Sequence, residues 1–171
     1  MKRWGHLLRV MPLILLAVTA SASGDSGQRS AAGPAQPVTM TRPAEVKWGP
    51  APAKLPRGAE MAVLAGDPAK PGELFTIRAK LPDGYSVPPH THPTVEHLTV
   101  IQGIMLLGAG STFDPTKLRE LPAGSYARLP TDQPHFNLYK GETIIQLHGI
   151  GPYDVIYVNP ADDPSTKGNV R

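Results

Sequence analysis

The stretch from Gly84 to Gly103 reads GYSVPPHTHPTVEHLTVIQG and gathers the side chains best suited to holding an ion. His90 and His92 stand two apart, and Glu96 follows four residues later. In an extended strand, residues i and i+2 point to the same face, so the two imidazoles lie side by side as a chelating pair. Pro93 cannot donate to a sheet ladder, so the chain is expected to turn at Pro93-Thr94 and begin a second strand carrying Glu96. One short hairpin then offers two ring nitrogens and a carboxylate oxygen. Such a donor set suits a divalent transition metal better than calcium or magnesium, which prefer shells made wholly of oxygen.

Short strands separated by turn signals must position these groups. Met61 to Ala65 is apolar and ends at Gly66-Asp67-Pro68. Glu73 to Leu81 alternates, with Phe75, Ile77, Ala79 and Leu81 on one side and Thr76, Arg78 and Lys80 on the other, which is the pattern of a half-buried strand. Pro82-Asp83-Gly84 turns the chain into the histidine strand. Glu96 to Ile101 and Ile104 to Leu107 follow, then a polar stretch in which Asp114-Pro115 opens one helical turn. Tyr126 to Leu129, His135 to Tyr139, Thr143 to Ile150 and Tyr153 to Val158 are further short strands. Lys140-Gly141-Glu142 suits a tight hairpin between the second and third of these. No long stretch carries a helical period, so the chain is expected to be all-β, a sandwich or barrel of jelly-roll type.

The spacing Gly84, five residues, His90, one, His92, three, Glu96, six, Gly103 resembles the first signature motif of the cupin superfamily. A second motif is similar at Gly124, Pro130 and His135, with Asp132 where a second glycine is usual and Tyr139 where an asparagine is usual. The resemblance covers Trp48 to Val158 and implies a single double-stranded β-helix barrel. Carried over by position, it makes His90, His92, Glu96 and His135 the metal ligands. Four protein ligands on a six-coordinate metal leave two positions for water or substrate, as in a catalytic centre, whereas a tetrahedral zinc is closed by the same four. Zinc, manganese, iron and nickel all stay open as the metal.

The resemblance implies a range from oxygenases to non-enzymatic sensors. The leading expectation is a small metalloenzyme acting on an oxygen-rich small molecule in a dioxygenase-like reaction. The alternative is a metal-dependent small-molecule binder or sensor. A homodimer is implied by the resemblance alone.

Other polar residues carry weaker signals. His97 follows Glu96 directly and so faces the opposite side of its strand. Gln146 and His148 share a face of a late strand, opposite Ile145 and Leu147. If that face looks into the pocket, they are the candidates for touching substrate or acting as acid and base. Phe75, Tyr126, Phe136, Tyr139, Met105 and Leu107 are expected in the core or pocket wall.

Composition narrows the setting. The 171 residues suffice for one domain with a sizeable core. Met1 to Ala22 has the pattern of an export signal: Lys2, Arg3 and Arg9, then apolar Val10 to Val18, then Ala20-Ser21-Ala22, with an apolar run too short to span a bilayer. Residues 23–43 read as a flexible linker rich in Ser, Ala, Gly and Pro, residues 44–160 as the barrel, and residues 161–171 as a polar tail. The protein is thus expected to be periplasmic or secreted and free of the membrane after cleavage. There is no cysteine, so neither disulfides nor thiolate ligands are available. The three leader cations account for the whole net charge of +3, so the remainder is near neutral and lacks the basic surface that nucleic-acid binding needs.

Overall fold

The computed structural model describes residues 37–166. The expected export signal, most of the expected linker and the last residues of the tail lie outside this range. Nine strands are present among the described residues: β1 (Gly49–Pro50), β2 (Glu60–Ala65), β3 (Leu74–Leu81), β4 (Ser86–Thr91), β5 (Glu96–Ala109), β6 (Arg119–Pro122), β7 (Tyr126–Leu129), β8 (His135–Ile150) and β9 (Ile156–Tyr157). All pairings are antiparallel.

Two long bent strands, β5 and β8, organise the fold. They pair with each other from His97↔His148 to Ala109↔His135, with register shifts around Gln102. Each passes from one layer to the other. The C-terminal half of β8 pairs with β3, and the N-terminal half of β5 pairs with β7. The N-terminal half of β8 pairs with β4, and the C-terminal half of β5 pairs with β6. The sheet therefore curls into two facing layers joined through shared strands, the all-β jelly-roll barrel the strand pattern predicts.

The bend explains a difference from the sequence reading. Lys140-Gly141-Glu142 makes no hairpin, because both halves of β8 pair with β5 and not with each other. Glycines that look like turn signals instead let a continuous strand change direction. Gly141 has φ +67° and Gly103 has φ +76°, in the left-handed region where a side chain is strained. At Gly103 a Cβ would sit 2.6 Å from the Glu142 carbonyl oxygen and 2.5 Å from Thr143 Oγ1. The buried Thr143 hydroxyl in turn accepts from the Ile104 N–H at 3.2 Å, so the bend is fixed from both strands.

The alternation read along β3 holds: Phe75, Ile77, Ala79 and Leu81 are buried while the residues between them are not. They meet Leu98 and Val100 of β5 and Ile145 and Leu147 of β8 in one core. Tyr126 departs from expectation. It is 56% exposed, on the outer face of β7. The strand expected over Tyr153 to Val158 is reduced to Ile156–Tyr157, because the preceding segment runs irregularly and the Tyr153 N–H donates to the Pro68 carbonyl instead of a ladder. Arg119–Pro122 forms a strand that the polar reading of this region missed.

Candidate metal centre

Three histidines from two neighbouring strands converge at one end of the barrel. His90 lies on β4 directly opposite His135, the first residue of β8, so ladder register alone brings these rings together. Their centroids are 4.2 Å apart. His92 follows just past the end of β4 on the same face, 4.9 Å from His90 and 5.1 Å from His135. All three rings are buried, and one ligand nitrogen of each lies within 4.8 Å of the other two.

The turn at Pro93-Thr94 exists, but the expected hairpin does not. β4 pairs with β8 and β9, whereas β5 pairs with β6, β7 and β8. The turn thus hands the chain from one layer to the other, and Glu96, first residue of β5, reaches the histidines from the opposite wall. Glu96 is buried, with Oε2 2.8 Å from His92 Nε2. The Tyr153 hydroxyl donates to the same oxygen at 3.1 Å. The nitrogens within mutual reach belong to the three histidines, and Glu96 joins them through His92.

Backbone carbonyls set the orientation of every ring. Nδ1 of His90 lies 2.7 Å from the Pro88 oxygen, Nδ1 of His92 2.7 Å from the Asp154 oxygen, and Nδ1 of His135 3.0 Å from the Gln133 oxygen. A carbonyl can only accept, so each Nδ1 carries the hydrogen and Nε2 is left as the donor atom for an ion. His135 Nε2 is buried with no hydrogen-bond partner. An unpartnered buried polar atom costs about 1–3 kcal/mol, and ligation of a metal is one way such an atom is satisfied.

Electrostatics divides the histidines. Burial, reinforced by the neighbouring imidazoles, holds His90 well below its ordinary value, and burial likewise lowers His135. Both are neutral, the form that ligates. Burial opposes charge on His92 too, but the hydrogen bond and charge of Glu96 outweigh it and raise its pKa. Burial would raise Glu96, yet the hydrogen bond and charge of His92 win and lower it. The raised pKa of His92 and the lowered pKa of Glu96 favour a proton shared between Nε2 and Oε2, and a divalent ion at Nε2 would take the place of that proton.

The turn before His135 keeps its glycine-like shape without the glycine. Asp132 has φ +56°, a conformation Asp tolerates better than most residues. Its N–H donates to the His92 carbonyl at 3.0 Å, tying the two histidine-bearing segments together. Tyr139, in the position of the usual asparagine, is buried, and its backbone exchanges bonds with Gly84 and Tyr85.

Gln146 and His148 do not join the cluster. Ile145 and Leu147 face the core, so the alternation turns Gln146 and His148 outward. Gln146 accepts from Arg78 Nε at 3.0 Å. His148 stacks on His97, with centroids 5.0 Å apart, and His97 meets the Tyr126 hydroxyl at 2.7 Å. Tyr153 went unread in the sequence. It stacks on His92 at 4.7 Å besides binding Glu96, which lies 57 residues away, and no local pattern signals so distant a contact.

A cavity of about 50 Å³ adjoins the cluster, bounded by His90, His92, Glu96 and Tyr153 and otherwise chiefly by apolar side chains. At about 30 Å³ per liquid water its volume is that of one or two waters.

No protein-family profile and no curated sequence matches this chain. Solved structures do. A putative acetylacetone dioxygenase from Methylibium petroleiphilum PM1 superimposes with TM-score 0.57 at 18% identity, covering 77% of this chain and 88% of its own. The polyketide cyclase RemF from Streptomyces resistomycificus gives 0.56 at 18% identity, covering 75% and 90%. An RmlC-like cupin from Shewanella frigidimarina NCIMB 400 gives 0.51 at 13% identity, covering 67% and 92%. At these identities the likeness speaks for the fold.

Proposed function

Taking the cupin fold as established, we propose that this chain is a small exported metalloprotein in which Nε2 of His90, His92 and His135 holds a divalent transition metal. Its leading activity is dioxygenase-like oxidation of a small oxygen-rich molecule. The observation that carries the metal reading is His135 Nε2, buried and unpartnered beside two neutral or proton-sharing imidazoles whose other nitrogens are all tied to carbonyls. When bound, the metal supplies Lewis acidity and positions for exogenous oxygen ligands.

The chain's own residues do the rest. Glu96 would supply the negative charge that offsets part of the ion's charge and accept the proton His92 must shed, with the Tyr153 hydroxyl donating to the same carboxylate oxygen. The Pro88, Asp154 and Gln133 carbonyls hold the rings against rotation. The apolar walls exclude water and strengthen every charge interaction inside. Export rests on the leader pattern of Met1 to Ala22. The fold neighbour described as a putative acetylacetone dioxygenase suggests which reaction to test first.

The test is oxygen uptake by protein loaded in turn with iron, manganese, nickel and zinc, against acetylacetone, catechols and dicarboxylates. Uptake with one metal, lost in His135→Ala while the circular dichroism spectrum is unchanged, supports the enzyme. The small cavity favours a second reading, binding or sensing. Stoichiometric zinc with no turnover on any metal selects that one.

A further inference from the structure

A second chamber stands back to back with the metal cavity. Its volume is about 220 Å³, and it is bordered by Pro52, Lys54, Pro68, Ala69, Ile77 and Asp154. Four further residues, Leu55, Met61, Tyr153 and Val155, line both spaces. The inner cavity has the volume of one or two waters, whereas the outer one has the volume of about seven.

We propose that this outer chamber binds the body of a compact, uncharged, largely apolar small molecule, about the size of a single aromatic ring. The polar head of that molecule is directed at the metal centre across the Tyr153 wall. Only the direction of the head rests on the metal reading above. The walls are mostly Pro, Ala, Leu, Met, Ile and Val, and apolar burial is the attraction they offer. The only two charged residues in the lining, Lys54 and Asp154, pair with each other at 2.6 Å, so neither is left to select an ionic ligand. That pairing is what separates an uncharged ligand from a carboxylate or an amine of the same size.

The dividing wall links the chambers mechanically. Tyr153 carries the hydroxyl on Glu96 and stacks on His92, and the next residue, Asp154, supplies the carbonyl that holds His92 Nδ1. A ligand pressing on Tyr153 therefore acts on two of the groups that set the metal centre.

Benzyl alcohol, benzoate and benzylamine share one body and differ in charge, which makes them suitable probes. Each is titrated into the full chain, metal-free and metal-loaded, and followed by amide and methyl NMR shifts. Benzyl alcohol is expected to saturate in the millimolar range in both forms, moving the signals of Leu55, Ala69, Ile77 and Tyr153. Benzoate and benzylamine are expected to bind at least several-fold more weakly. Ala69→Trp, which adds an indole at the exposed rim of the chamber, is expected to weaken binding while leaving metal content unchanged. Shifts confined to other regions, preference for a charged probe, or undiminished binding in Ala69→Trp would overturn the proposal. The wild-type shift map decides the matter even if that variant fails to fold. Because the metal-free form is included, loss of the chamber and loss of the metal reading give different results.

Discussion

His92 is gripped by the Asp154 carbonyl at one nitrogen and Glu96 at the other, with the Tyr153 ring against its face. His90 and His135 have one nitrogen tied and one free to ligate. Removing a partner that orients a ligand typically lowers metal affinity 10–100-fold. Tyr153→Phe, which deletes only the bond to Glu96, is therefore expected to weaken binding about 10-fold in competition with a chromophoric chelator, leaving the fold intact. His135→Ala should weaken it by at least about 100-fold, since a ligand itself is lost. An equal effect of the two variants would mean that His135 is not a ligand. At this scale the sequence showed His90 and His92 through their two-residue spacing. Glu96 was legible as the carboxylate four residues on, His135 came only with the resemblance, and Tyr153 from neither, because its partners are brought together by the fold.

The elements that bring these residues together are β5 and β8, whose bends let each strand serve both layers. Gly103 is the pivot, with positive φ and no space for a Cβ against the Glu142 carbonyl. Gly103→Ala is expected to destabilise the protein by about 3 kcal/mol, from backbone strain and overpacking together, read as a lowered midpoint in urea. Gly72→Ala is the control. It also has positive φ, but a Cβ there meets nothing within 4 Å, so it should lose only the strain, about 1 kcal/mol. The same bends explain how much of the fold was legible. Alternation along β3 was plain because one face is buried. The continuity of β5 and β8 was not, because a glycine between two apolar runs has the same local signature in a turn and in a bent strand. What distinguishes them is which strand each half pairs with, and that is long-range information.

For the molecule as a whole, the buried histidine cluster makes stability depend on pH in a direction that can be worked out. His90 and His135 have pKa values lowered from the ordinary 6.5, so the unfolded chain binds protons in a range where the folded protein does not. Stability from this source is full above about 6.5 and is lost as the pH falls toward the folded values. His92, with a raised pKa, has the opposite sign: its contribution is full below 6.5 and is lost as the pH rises through its folded value. Glu96, with a lowered pKa, contributes above its ordinary 4.5 and loses that as the pH falls through its folded value. Between 4.5 and 6.5 His90 and His135 lose while the contribution of His92 is already full and adds no change, so the metal-free protein is expected to melt at progressively lower temperature on acidification through this range. His90→Gln should flatten the trend.

Metal binding should reverse the balance, since an ion that binds only the folded state stabilises it by about 2.7 kcal/mol at 100 times its dissociation constant. The most direct measurement of the central claim is X-ray absorption on protein reconstituted with one equivalent of zinc or manganese, with the bound metal counted per chain. One ion per chain is expected, with imidazole scattering from three histidines at about 2.0–2.2 Å, and both should disappear in His135→Ala. A chain that retains no stoichiometric ion, or an ion whose spectrum lacks imidazole scattering, would contradict a metal centre built on His90, His92 and His135.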